Sequence, residues 1–385
     1  MPLTSSDLTT GEYLTRWINL RRMDESTRRT YAGHIRNHLI PHLGRIRLHQ
    51  LRIDHIGAMF ATIAARNQQI TTARRSSNPD VRASVKGQRT VGPSTMHRIR
   101  ATLRKALNDA IRKQRLIEHN PAAHFELEPE DMPKARLWTD AAVTQWRATG
   151  HVPSKVMVWT PDQAGVFLDY TEEHDPDLYP LFALVLRRGP RRGEAVGIRT
   201  DQIDLTTATA VISHQIATIG YEPVYKKVKT RHGDRVVALD SDTVTDLTAY
   251  SKRRAAHKLA AGPDWPDTIR LRTPAPGGGN DHVDVDLFFR RPDGTAWHPE
   301  LVSERFERHA RDAGLPPVGI HDGRHGAATF TKAAGGDITE IKELLGHSTI
   351  TITADIYTSL LQDLQRVTAE NTAKLIPRKR RNTAA

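Results

Sequence analysis

A mainly helical chain of two domains, the second holding a small antiparallel β-sheet, is the fold class that three observations predict. The first is a length of 385 residues, which at roughly 150 residues per domain allows two domains with sizeable cores. The second is apolar spacing of helical period toward both ends of the chain. The third is a central stretch, residues 208–239, where that period gives way to short β-branched runs.

In the first third, Thr27 to Leu39 places Tyr31, Ile35 and Leu39 at i, i+4 and i+8, and Pro41 and Gly44 are expected to end the helix. Residues 72–94, rich in Ser, Arg, Gly and Pro, read as a flexible basic loop. A second helix follows, with Ile99, Leu103, Leu107 and Ile111 on one stripe. From Phe125 to Val158 the composition turns acidic and proline-punctuated, which predicts a linker. Trp159-Thr160-Pro161-Asp162-Gln163 then supplies an N-cap, Pro at the first helical position and Gln at the third, so a second domain is expected to start there. Ala210–Ser213, Pro223–Tyr225 and Arg235–Leu239 read as short strands, Gly277-Gly278-Gly279 as a surface insertion, and Pro299 to Ala373 as helical again. The predicted division is 1–124, a linker 125–158, and 159–385.

The charge divides the chain along the same line. Residues 1–124 hold 22 Lys and Arg against 8 Asp and Glu, net +14, and the remaining 261 residues net −2. Residues 71–115 alone hold 12 basic and 2 acidic side chains. Around the second helix's apolar stripe stand Arg98, Arg100, Arg104, Lys105, Arg112, Lys113 and Arg115, opposed only by Asp109. A merely solvated face would intersperse both signs, so Arg98, Arg100, Arg104, Lys105, Arg112 and Lys113 are the predicted nucleic-acid contacts. No stretch approaches 18 uninterrupted apolar residues and no signal pattern opens the chain, which predicts neither a membrane span nor secretion. The absence of cysteine excludes disulfides, thiolate metal sites and cysteine nucleophiles, and fits a reducing compartment.

Four segments of the second domain concentrate polar residues that could do chemistry. They are Arg188-Gly189-Pro190-Arg191-Arg192-Gly193-Glu194; Lys229-Thr230 before a predicted strand; His321-Asp322-Gly323-Arg324-His325-Gly326; and Leu344-Leu345-Gly346-His347 with Tyr357 ten residues later. His321 and Arg324 are three apart, so one helical turn can aim both at one object. Individually each segment has a bland reading as a surface turn or a solvated helix face.

Together, in this order, the four segments resemble the catalytic domain of the tyrosine recombinases, the phage-integrase family. Arg191 falls at that family's catalytic arginine, Lys229 on its lysine-bearing β-turn, His321 and Arg324 on its HxxR element, and His347 and Tyr357 on its Leu-Gly-His and nucleophile spacing. The resemblance extends to residues 10–122, which are similar to the family's helical, SAM-like core-binding domain, and Trp-Thr-Pro-x-Gln helix starts are similar to those of actinobacterial phage and integrative-element integrases. Pro190, Gly323 and Gly326 depart from the family pattern and are expected to loosen or bend the backbone that supports the arginines. About ten residues precede the first helix, so the expectation is either that an arm-binding domain is absent or that the sequence begins at a later start codon.

What the resemblance implies is a site-specific recombinase acting on attachment sites in duplex DNA as a homotetramer, in the cytoplasm, with an accessory directionality factor as a further partner and without metal, ATP or other cofactor. Its six catalytic residues would be Arg191, Lys229, His321, Arg324, His347 and Tyr357. Guanidiniums suit a phosphodiester because they give parallel hydrogen bonds to its nonbridging oxygens and never lose their charge. A catalytically degenerate DNA-binding or architectural protein of the same fold is the alternative, and the complete set of six argues against it. A topoisomerase that only nicks and reseals would share the chemistry. A metalloenzyme reading of His321, Asp322 and His325 lacks any accompanying carboxylate-plus-His motif.

Overall fold

The computed structural model describes residues 8–129, 135–228, 231–275 and 279–346. The chain divides into two units, Met1–Met132 and Pro133–Ala385.

The first unit is helical: α1 (Thr10–Leu20), α2 (Glu25–His34), α3 (Ile40–Leu43), α4 (Ile53–Arg75), α5 (Pro79–Ser84), α6 (Pro93–Arg112) and α7 (Pro121–His124). Thr9 and Glu12 form a reciprocal capping box at the start of α1. Tyr31 stacks on Trp17, and Ile35 and Leu39 are buried. Their helix does not end before Pro41. A π-helical segment, Ile35–Leu39, joins α2 to α3, and the Ile40 N–H donates to Ile35 O five residues back. That widened turn lets Pro41 enter the first turn of α3, where a missing N–H costs nothing. Residues 72–94 are also more ordered than a loop: α4 runs on to Arg75, α5 follows, and the Asn67 amide holds Val91 by two hydrogen bonds of 2.7 and 2.8 Å. On α6, Ile99, Leu103 and Leu107 are fully buried and Ile111 partly so.

The second unit begins earlier than the sequence suggests. Residues 136–158, expected to be linker, supply β1 (Arg136–Leu137), α8 (Asp140–Thr149) and β2 (Met157–Val158), and Trp138 is fully buried in this unit's core. The acidic, proline-rich composition hid two indoles, Trp138 and Trp146, which meet edge to face at 5.9 Å, and burying indoles outweighs many polar neighbours. Then come α9 (Pro161–His174), α10 (Tyr179–Arg188), α11 (Arg192–Val196), β3 (Ile203–Asp204), β4 (Thr209–Ile212), β5 (His214–Ile219), β6 (Glu222–Lys227), β7 (Arg235–Ala238), α12 (Ser241–Ala261), β8 (Ile269–Pro274), β9 (Asn280–Val285), α13 (Pro299–Asp312), α14 (Ile320–Ala333) and α15 (Ile338–Leu345). Thr160 caps α9 as expected, in a capping box with Gln163. The strands form an antiparallel sheet of order β3-β4-β7 and a four-stranded sheet of order β5-β6-β8-β9 whose β6–β8 junction is parallel. Gly277 and Gly278 lie outside the described residues; on either side of them β8 and β9 pair antiparallel. Among the described residues no helix is long and apolar enough to cross a membrane.

The core of this unit centres on Phe306, whose ring packs with Trp159, Phe167 and Phe182 at centroid separations of 4.4–5.5 Å. Two indoles then fix the approach to α14: Trp159 Nε1 donates to Pro316 O at 2.8 Å and Trp138 Nε1 to Pro317 O at 3.2 Å. Neither proline offers an N–H to a helix or sheet, so the paired indoles anchor through carbonyls a segment that regular structure cannot hold.

Candidate active site

Glu194 is the centre of the site. It is 1% exposed, on the short helix α11, and an ionised carboxylate there requires partners. Arg191 provides two, its backbone N–H to Oε2 at 2.9 Å and its Nη1 to Oε1 at 2.6 Å. Arg235, at the start of β7, donates Nη2 to Oε2 at 3.0 Å, and Arg324 Nη1 stands 3.9 Å from the same oxygen. Burial by itself would raise this carboxyl's pKa. Arg235 and Arg191, the Arg191 backbone N–H and Arg324 more than offset burial and hold it below the usual carboxylate range. Three guanidiniums thus stand around one carboxylate.

The chain can assemble this cluster because α11 lies against β5 at backbone distance. A Cβ on Gly193 would meet Ile216 O at 2.5 Å, and one on Gly197 would meet Gln215 Cα at 2.9 Å. Gly189 ends α10 in the left-handed conformation, φ +63°, where a Cβ would strike Leu345 at 2.7 Å. Its carbonyl accepts from Arg324 Nη1 at 2.5 Å. Neighbouring arginines are engaged elsewhere: Arg187 with Asp246, Arg188 with Asp240, and Arg192 with Glu300 and Ser303. Of the four arginines between 187 and 192, Arg191 is the one on Glu194, with its side chain 39% exposed.

Arg324 is 1% exposed on the second turn of α14 and also donates Nη2 to Leu345 O. Gly323 and Gly326 lie inside that helix, which runs continuously from Ile320 to Ala333. The space a larger residue would take at 323 is filled by Leu186 and Phe306, at 3.1 and 3.5 Å from where a Cβ would stand, and Gly326 faces Phe330 and Val158 at 3.6 and 3.7 Å. His321 occupies the exposed start of the helix, its ring edge-on to His325 at 5.2 Å. Desolvation, then the charges of Arg324, Arg191 and Arg192, hold the His321 pKa below its ordinary value, so the imidazole keeps a lone pair at neutral pH.

Arg191, His321 and Arg324 are therefore brought together. Lys229, His347 and Tyr357 lie outside the described residues. In the sequence Glu194 stands only as the end of the Arg188–Glu194 segment and Arg235 only as the first residue of an expected strand. Their link spans 41 positions, beyond any local pattern; the one signal was the pairing of an isolated acid with arginine in a basic motif.

In the first unit, Arg98, Arg104, Lys105 and Arg112 are exposed on α6. Arg98, Lys105 and Arg112 are seven apart, two helical turns, and so share one face. Arg100 is half-buried and donates to Ala123 O at 3.2 Å; Lys113 stands 3.6 Å from Asp109. Asp109 is turned inward, accepting from Trp17 Nε1 at 2.8 Å and pairing with Arg21, so its charge is shared between the core and Lys113.

The second unit thus carries a convergent guanidinium cluster around a buried acid, and the first unit, taken by itself, a basic helical face. Residues 158–363 match the phage integrase family and residues 9–59 the phage integrase N-terminal SAM-like domain; the chain belongs to the phage integrase family. It is 27% identical over 193 residues to a tyrosine recombinase XerC-like protein of Caldanaerobacter subterraneus subsp. tengcongensis, covering 48% of this chain and 46% of that one. It is 22% identical over 348 residues to the integrase of Mycobacterium phage L5, covering 90% of this chain and 74% of that one. The chain spans about half the length of the first curated relatives it matches, 46% and 55%. In fold it is similar to the Tn1549 transposon integrase in complex with transposon right end DNA, with a TM-score of 0.65 at 17% identity, covering 94% of this chain and all of that one. It is also similar to a lambda integrase tetramer bound to a Holliday junction, with a TM-score of 0.52 at 16% identity, covering 90% and 76%.

Proposed function

We propose that this chain is a site-specific DNA recombinase that cuts and rejoins duplex DNA through a 3′-phosphotyrosine intermediate, integrating or excising a mobile element. The observation that carries the reading is the convergence of Arg191 and Arg324 on the buried Glu194, with His321 one helical turn before Arg324. In this reading the Tyr357 hydroxyl attacks phosphorus. Its proton passes to neutral His321, the bond to the 5′-oxygen breaks, and Lys229 supplies the proton that oxygen needs to leave. Arg191 and Arg324, with His347 as a third donor, take up the charge that gathers on the nonbridging oxygens. The ester's bond energy is conserved, so another 5′-hydroxyl can reseal the strand by the reverse path.

The relatives' DNA complexes support duplex DNA as the substrate, and the tetrameric lambda integrase supports a four-protomer assembly on two duplexes. Arg98, Lys105 and Arg112, with Arg104, Arg100 and Lys113 beside them, would hold the backbone phosphates. The direct test is Tyr357→Phe, which removes one oxygen and no charge. Wild-type protein should yield a protease-sensitive adduct on the DNA 3′ end in a denaturing gel, and the variant none at nearly unchanged duplex affinity. An adduct that survives the substitution defeats the reading.

A further inference from the structure

Arg235 is 7% exposed in its side chain, and its guanidinium meets three partners from three elements. Nη2 donates to Glu194 on α11 at 3.0 Å, Nε to Leu344 O at the C-terminal end of α15 at 2.9 Å, and Nη1 to Gly233 O in the turn before β7 at 3.0 Å. The last carbonyls of a helix have no partners within it. Here Leu344 O is taken by Arg235 and Leu345 O by Arg324, so two side chains bound to one carboxylate also cap one helix. Gly346 follows in the left-handed conformation, φ +62°. A Cβ there would stand 2.6 Å from His232 O and 3.0 Å from Arg235 Nη1, so the helix end and the turn are in backbone-to-backbone contact.

From these contacts we infer that Arg235 is a positioning residue, tying the Glu194 guanidinium cluster to the turn that follows Lys229 and to the helix end that precedes His347. The inference rests on the proposed recombinase chemistry and adds a part to it. Gly233 is four residues beyond Lys229 in the chain, and Leu344 is three before His347. The same guanidinium therefore holds the described positions nearest in the chain to both proposed donors, the turn after Lys229 and the helix end before His347. A planar fork can serve three acceptors in fixed directions, which the single ammonium of lysine cannot.

The test uses full-length protein at saturating concentration on a duplex taken from the recombination junction of its native element, carrying either the ordinary 5′-oxygen or a 5′-bridging sulfur at the scissile phosphate. Arg235→Lys keeps a positive charge beside Glu194 but gives up the carbonyl contacts. It should slow single-turnover cleavage of ordinary DNA by about a hundredfold and be at least partly rescued by sulfur, which leaves without a proton. Arg191→Ala should be slow on both duplexes. Equal slowing of Arg235→Lys on both, or wild-type rates on both, overturns the inference while the wild-type adduct still stands. An adduct missing from wild type overturns the recombinase reading instead. Gly346→Ala removes no charge and pushes the helix end from the turn. It should reproduce the sulfur-dependent defect, and unchanged rates would likewise reject the inference, so the question is answered even if Arg235→Lys fails to fold.

Discussion

Arg98 on α6 and Arg324 on α14 carry the same guanidinium in opposite settings. Arg98 is exposed on a face it shares with Lys105 and Arg112, and the nearby acid, Asp109, is turned into the core. Arg324 is 1% exposed, bonded to the carbonyls of Gly189 and Leu345 and facing a carboxylate that two other arginines also face. An exposed cation in water is cheap to place and is screened by salt within about 8–10 Å. A buried one needs its partners in advance, and in return its position is set before any phosphate arrives. Charge arithmetic on the sequence finds the first kind readily. It misses the second, because buried arginines come with acids and cancel in the sum.

The hardest way to break this contrast is to remove the acid. Glu194→Gln should leave Arg235 and Arg324 without their buried counter-charge, costing about 3–5 kcal/mol of stability. Any protein that remains folded should cleave at least about a hundredfold slower, since the guanidiniums lose their common reference. A melting curve and a single-turnover assay together measure this; stability within 1 kcal/mol would mean that the cluster is not preorganised by Glu194.

An intermediate effect is expected on the exposed side. Replacing Arg98, Lys105 and Arg112 together by Gln should leave the fold intact and flatten the slope of log affinity against log salt by about 3. Near 0.15 M salt that is roughly a hundredfold weaker duplex binding. An unchanged slope would remove this face from the phosphate contacts and erase the contrast between the units.

The smallest effect concerns two groups flanking Arg324. Burial, with the charges of His321 and Arg324, pushes His325 down to about 4, and burial pushes Asp322 up to about 6 despite a hydrogen bond from the Gly319 backbone. The linkage signs oppose. His325, depressed from 6.5, contributes stability that is present above 6.5 and is lost as pH falls toward 4. Asp322, raised from 3.8, contributes stability that is present below 3.8 and is lost as pH rises through 6. Between pH 4 and 6, Asp322→Asn should make stability rise more steeply with pH than in wild type. His325→Phe should tilt the curve the other way, each by on the order of 1–3 kcal/mol across the window. Denaturant titrations at several pH values check this, and curves parallel to wild type would contradict it.

How much of this was legible beforehand differs by residue. Arg191, His321 and Arg324 could be found because short motifs carry them, and the Thr160 helix start because a capping box is local. The π-helical passage through Pro41 was not legible, since it depends on Ile35 and Leu39 both finding the core. The β8–β9 pairing was hidden by the Gly and Pro between the strands, although Ile269 and Leu271 alternate as strand residues do. Glu194 and Arg235 escaped for a different reason: their meaning lies in a contact between distant positions, and periodicity reports only which face is buried, never what it meets.

The indole anchors of α14 have a consequence for how the protein is made. Trp159 and Trp138 bind carbonyls 157 and 179 residues further along the chain. During synthesis both donors leave the ribosome long before their acceptors exist, and contacts of such sequence separation are among the slowest to close. The helix that carries His321 and Arg324 is thus seated only after most of the second unit has emerged. A growing chain therefore has all of its first unit, α6 included, outside the ribosome before the guanidinium cluster around Glu194 can be completed by Arg324.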